Sequence, residues 1–254
     1  MRDAVLIDEP AGKPLATLLL AHGAGAPMDS SFMVMLARSL VRRGFRVIRF
    51  EFPYMDCRRR VGTKRPPDRM PALQQAFREQ IEAIPGPLFI GGKSMGGRVA
   101  SLIAEQSEVE GVICFGYPFH PPGRLERTRV EHLQAIRVPC LIVQGTRDPF
   151  GKPEEVCGYP LGERVRVTWL ESGDHDLRPL RKSGTTQEHL IEAAPARQQP
   201  SFVVCSAEIA QMPIAAGITA ADMVPQRRPF TSIGTYITNT TTVVPGMTNV
   251  PRFR

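Results

Sequence analysis

The sequence predicts an α/β protein built on a mostly parallel, twisted sheet with helices on both faces. Three observations predict it. Short apolar runs alternate with amphipathic stretches through the first 195 residues. Several runs are almost continuously apolar, as expected of strands buried on both faces. The stretches between them repeat their apolar residues at helical spacing.

Taken in order, Ala16–Ala21 reads as a strand that runs into the glycine-rich His22-Gly23-Ala24-Gly25-Ala26. Ser31–Val41 is helical, with Phe32, Met35, Leu36 and Leu40 at i, i+3, i+4 and i+8. Arg46–Phe52 is the next strand. Arg58, Arg59, Arg60, Lys64, Arg65 and Arg69 then form a basic cluster that reads as a loop. Pro71–Ile84 opens with proline and aligns Leu73, Phe77 and Ile81, the pattern of a helix. Leu88–Gly91, Gly111–Gly116, Cys140–Gln144 and Arg164–Leu170 are further strands; Pro139 precedes the third of these, outside its ladder. Met95–Glu105 and Thr186–Ala194 are helical. The stretch between Gly116 and Cys140 is too short for a cap domain, so the site is expected to be open. Residues 1–196 are read as one domain. Residues 197–254, rich in Thr and Pro and without lysine, follow neither period and are read as an atypical extension, a candidate for disorder.

Composition narrows the function classes. The chain has 254 residues, 42% hydrophobic and 22% charged, which suits a soluble globular protein. The N-terminus carries no apolar signal region, and no run is long enough to span a bilayer, so no membrane association is expected. The five cysteines show neither CxxC nor Cys/His spacing, so neither a disulfide framework nor a metal site is predicted. Cys114 and Cys140, inside apolar runs, read as buried free thiols, which suits a reducing, cytoplasmic setting. No cofactor is expected. A net charge of +7 raises the question of nucleic acid, but no aromatic residues interleave with the basic cluster and no recognition pattern accompanies it. The partner expected is a small-molecule acyl substrate.

The chemistry is carried by Gly92-Lys93-Ser94-Met95-Gly96, a G-x-S-x-G placed between a strand and a helix. That setting is the nucleophile elbow of the α/β-hydrolase fold. Ser94 projects there at a helix N-terminus, where free N–H groups favour an oxyanion. Gly92-Lys93-Ser94 also spells the end of a phosphate loop, but Pro87 stands where that motif requires its first glycine. A serine hydroxyl needs a base. Of five histidines, His175 alone sits in a loop directly after a strong late strand, as the order Ser, acid, His requires. Asp148 follows the strand Cys140–Gln144, where the orienting acid belongs. Asp174 and Asp176 are too close in the chain to reach around the ring, and Glu154 is the fallback. The oxyanion donors predicted are the N–H groups of Met95 and of Ala24, with Gly25 second. Tyr54, Tyr117, Phe119 and Phe150 are expected to wall the site. Tyr117-Pro118-Phe119-His120 is read either as substrate-binding or as a rigid turn. Two functions fit: a serine esterase working through an acyl-enzyme, or a catalytically silent, hydrolase-shaped scaffold.

These residues carry a resemblance. LLLAHGAGAPMDSSFM, FEFPYM, GGKSMGGRVAS, GYPFHPPG, QGTRDPFG and SGDHDL, spread over roughly residues 3–195, resemble the small α/β-hydrolases of the dienelactone-hydrolase-like group. That group is similar to the hydrolase-like region of a subunit of the NSL histone acetyltransferase complex. The resemblance implies an eight-stranded type of sheet, hydrolase activity, and Ser94, Asp148 and His175 as the triad. It departs from the group at Pro195, where a final helix would continue.

Overall fold

The computed structural model describes residues 5–193. Its strands are β1 (Val5–Asp8), β2 (Ala16–Ala21), β3 (Phe45–Phe50), β4 (Leu88–Lys93), β5 (Gly111–Phe115), β6 (Cys140–Gly145) and β7 (Val165–Leu170). They form one sheet in the order β1-β3-β2-β4-β5-β6-β7. β2 to β7 run parallel, and β1 pairs antiparallel with β3 at the edge. The helices are α1 (Ser31–Arg42), α2 (Pro53–Val61), α3 (Met70–Glu82), α4 (Met95–Ile103), α5 (Glu131–Gln134), α6 (Pro153–Val156) and α7 (Gln187–Ala193).

Strand alternation divides the core in two. Leu18 and Leu20 of β2 join Phe45 and Val47 of β3 under Phe32, Met33, Leu36 and Leu40 of α1, with Ile191 of α7 in the same cluster. Leu19 and Ala21 join Ile48, Phe50 and Ile90 on the other face, beneath α2, α3 and α4. Helices on both faces therefore follow from apolar residues at consecutive strand positions.

The strand order reverses around β2, which lies between β3 and β4. Such a switch point opens a crevice at the carboxyl ends of the strands, and the loops that leave β2, β4, β6 and β7 there carry the candidate residues. Residues 116–139 between β5 and β6 hold only the four-residue α5, and among the described residues no cap domain is inserted at this end.

Three expectations change. The basic cluster is not wholly loop: Arg58, Arg59 and Arg60 form the last turn of α2. Pro53 starts that helix, and Tyr54 and Met55 are its buried residues, too few to print a periodic stripe. Ala16–Ala21 is the second strand, because Val5-Leu6-Ile7, exposed at the edge, also pairs. The sheet has seven strands among the described residues, where the resemblance implied eight. The extension predicted over 197–254 lies outside the described residues.

Candidate active site

Ser94 stands between β4 and α4 with φ 51 and ψ −112, outside the regions an L-residue prefers. Holding a residue there costs about 1–3 kcal/mol. The surrounding backbone sustains it. Ser94 N–H donates to the Phe115 carbonyl at 2.9 Å, and the Ser94 carbonyl accepts the Arg98 N–H at 3.0 Å. An ideal Cβ on Gly92 would lie 2.6 Å from the Ala21 carbonyl oxygen, and one on Gly96 would lie 2.6 Å from that of His22. Only glycine lets β2, the elbow and α4 approach this closely.

Across the crevice, the loop after β7 presents His175. Its Nε2 lies 2.9 Å from Ser94 Oγ, and its Nδ1 lies 2.8 Å from Asp148 Oδ2. With a carboxylate on one side, Nδ1–H donates to Asp148 and Nε2 is left to accept the serine proton. The Asp148 side chain is fully buried, while that of His175 is 21% exposed. Asp148 is itself held from every side. Oδ2 also accepts Gln144 Nε2–H at 2.8 Å, and Oδ1 accepts the Phe150 N–H at 2.9 Å. The Phe150 ring lies against the imidazole, with centroids 4.3 Å apart.

The two loops are stitched together. Arg147 N–H donates to the Gly173 carbonyl at 2.8 Å, and Ser172 N–H to Thr146 Oγ1 at 2.8 Å. Asp174 Oδ1 accepts the N–H groups of Asp176 and Arg178, at 2.9 and 2.8 Å, so its carboxylate shapes the histidine loop. Glu154, the fallback acid, instead lies in the first turn of α6.

The loop after β2 forms the facing wall. An ideal Cβ on Gly23 would lie 3.7 Å from Ser94 Cβ, so this backbone runs beside Ser94. His22 Nε2 accepts the Phe52 N–H at 3.1 Å, which leaves Nδ1–H to donate to the Gly23 carbonyl at 2.7 Å. Burial holds the His22 pKa below its ordinary value, in keeping with a neutral, bracing ring. The Tyr54 hydroxyl donates to the Ala24 carbonyl at 2.9 Å and lies 3.4 Å from that of Gly23. In a trans peptide the carbonyl of one residue and the N–H of the next point oppositely. The contacts to the Gly23 carbonyl therefore turn the Ala24 N–H away from His22 and Tyr54, and the bond to the Ala24 carbonyl turns the Gly25 N–H away from Tyr54. Met95 opens α4, where N–H groups have no partner within the helix. Further back, buried Glu51 accepts the Met28 N–H at 3.3 Å and pairs with Arg59, which also grips Asp29.

The structure thus brings Ser94, His175 and Asp148 into one hydrogen-bonded chain, with the Gly23–Ala24 backbone beside it and Met95 next in sequence. It does not bring four other predicted residues there as walls. Tyr54, Tyr117, Phe119 and His120 are at most 1% exposed and offer no surface to a substrate. Tyr54 braces the loop from behind. The Tyr117 hydroxyl donates to the Arg129 carbonyl at 2.9 Å, and its ring packs on Phe119. His120 Nε2 faces Glu155 Oε2 at 3.2 Å. These aromatics turn inward because they continue the core past the end of β5. Two residues escaped the sequence reading. Gln144 ties Asp148 to the Tyr117 backbone, its Oε1 accepting the Tyr117 N–H at 2.7 Å; the only polar residue in an otherwise apolar strand was its signal. Lys93, inside the motif itself, is buried.

Comparison with known proteins adds the family. The profile of the alpha/beta hydrolase domain matches residues 14–203. Among solved structures, the chain is similar to a serine hydrolase without a lid from Xanthomonas campestris, at 22% identity and a TM-score of 0.58, covering 75% of this chain and 85% of that one. It is similar to an alpha-beta serine hydrolase homologue from Coxiella burnetii, at 21% identity and a TM-score of 0.54, covering 67% and 82%. An esterase domain from Rhodothermus marinus matches at 18% identity and a TM-score of 0.52, covering 80% and 91%. At these identities the likenesses carry the fold.

Proposed function

The chain belongs to the alpha/beta hydrolase domain family, and on that premise we propose that it is a serine hydrolase that cleaves a carboxylic ester or related acyl compound. One observation carries the reading: the unbroken chain from Ser94 Oγ through His175 to buried Asp148. In the proposed cycle Ser94 Oγ attacks the acyl carbon and its proton passes to His175 Nε2. Asp148 holds the ring and stabilises the imidazolium. The N–H groups of Ala24 and Met95 receive the oxyanion. His175 returns the proton to the leaving alcohol, and a water deprotonated by the same nitrogen then releases the acid and restores Ser94. The lidless neighbour from Xanthomonas campestris and the short β5–β6 connection support a small, directly accessible substrate. The dienelactone-hydrolase-like placement belongs to the same reading, supported by the motifs quoted above.

The described cysteines, Cys57, Cys114, Cys140 and Cys157, are free thiols, which supports a reducing, cytoplasmic setting. Among the described residues no helix is long and apolar enough to cross a membrane. The test is labelling with a fluorophosphonate probe together with hydrolysis of p-nitrophenyl esters. Stoichiometric labelling at Ser94, lost in Ser94→Ala, is expected. Well-folded protein that neither labels nor hydrolyses would instead be a scaffold of hydrolase shape.

A further inference from the structure

Lys93 precedes the nucleophile, and its side chain is only 8% exposed. A lysine is seldom buried without a partner. Its Nζ lies 5.6 Å from the centre of the Phe32 ring of α1 and 3.4 Å from Asp176 Oδ1 on the histidine loop. Gly116, just past β5, stands between this ammonium and the imidazole. An ideal Cβ there would lie 3.1 Å from Lys93 Nζ, 3.4 Å from His175 Nδ1 and 2.6 Å from the His175 carbonyl oxygen. Only a bare backbone therefore separates the ammonium from the imidazole, and any larger side chain would push the histidine loop off the elbow.

The charged groups around the imidazole come from three places. Asp148 reaches it from the loop after β6, Asp174 and Asp176 flank it on its own loop, and Lys93 approaches from β4. Arg178 lies 3.8 Å from Asp176 on the outer side. From α1 the contribution is the Phe32 ring, and from β5 the Gly116 backbone.

We propose that the Lys93–Asp176 pair docks the histidine loop onto the elbow strand and sets the field at the His175 imidazole, which makes Lys93 a positioning residue. The inference rests on the hydrolase reading for its purpose, but not for its measurement. The two partners act on the ring with opposite sign: the ammonium opposes a second positive charge on His175, and the Asp176 carboxylate favours it. Desolvation lowers the Lys93 pKa, and Asp176 is the foremost group resisting that shift.

The experiment titrates the His175 imidazole by NMR in the resting full-length protein, alongside the pH profile of ester hydrolysis. Lys93→Met keeps the length and removes the charge; it is expected to raise the His175 pKa by roughly 0.5–1 pH unit and move the acid limb of kcat/KM upward. Asp176→Asn is expected to lower both by a similar amount. Lys93→Arg should return the titration toward that of the parent. A purely structural role would move both variants in the same direction or leave the imidazole unmoved, and either result overturns the proposal. Should Lys93→Met fail to fold, Asp176→Asn decides alone: its side chain is 44% exposed, and an unlowered His175 pKa refutes the inference. Opposite shifts in a protein without esterase activity would uphold the electrostatic role while the hydrolase reading fails.

Discussion

Two serine–histidine contacts of nearly equal length lie close together in the chain. Ser94 Oγ is 2.9 Å from His175 Nε2, and Ser101 Oγ is 2.8 Å from His132 Nε2. They differ in everything around them. Ser94 stands ahead of α4 with a positive φ, and its histidine has a buried carboxylate on the far nitrogen. Ser101 lies within α4, and its hydroxyl donates back to the Arg98 carbonyl at 2.9 Å. The neighbouring Tyr117 hydroxyl is likewise committed to Arg129. With both hydroxyl protons engaged, His132 Nε2 meets them as a donor, and among the described residues no carboxylate bonds its other nitrogen. One imidazole is arranged to accept a hydrogen bond from serine and the other to donate one. Distance alone does not define a nucleophile; the second bond of each partner sets the direction of the proton.

That contrast can be broken first at its strongest point. Ser94→Ala or His175→Ala is expected to lower kcat/KM on a p-nitrophenyl ester by at least about 10⁴-fold, whereas Ser101→Ala stays within about twofold of the parent. Equal losses at both serines would erase the distinction. Next comes the carboxylate that only one pair has. Asp148→Asn keeps the shape but presents an amide to Nδ1, and kcat should fall by roughly 10³–10⁴-fold with the circular dichroism spectrum unchanged. The loop brace is worth less. Tyr54→Phe removes one hydroxyl from behind the Ala24 carbonyl, and steady-state kinetics should show kcat lower by about tenfold with KM nearly constant.

The smallest effect belongs to the second pair, and it concerns stability. Burial, aided by Arg98, holds the His132 pKa down at about 4, against an ordinary value of 6.5. The unfolded chain therefore takes up the proton first as pH falls. Stability from this residue is complete above about pH 6.5, is lost as pH drops toward 4, and changes no further below that. Allowing for its partial exposure, the loss is about 1–2 kcal/mol, a few degrees in Tm. Thermal melts at pH 7 and pH 5 should therefore differ more for the parent than for His132→Gln.

The central strands were legible because a parallel strand buried on both faces writes a continuous apolar run; β6 is the plainest case. Ser94, His175 and Asp148 were legible because their motif and chain order fall at strand ends, where this topology places loops on one edge. What the sequence hid depends on packing. α2 buries only Tyr54 and Met55, so it leaves no stripe. Tyr117 and Phe119 follow a strand end exactly where a binding wall would, and nothing local distinguishes an aromatic that faces the crevice from one that completes the core. Lys93 reads as a solvent-facing charge until the glycine beside it and the aspartate above it are seen in space.

The contrast in exposure along the hydrogen-bonded chain, dry at Asp148 and wet at His175, has a kinetic consequence. Among the described residues one side of the imidazole is open to solvent, and in the proposed cycle the carboxylate product would leave by that side. Turnover should then be paced by bond-making and not by gating, so adding sucrose or glycerol to thicken the medium would leave kcat essentially where it was.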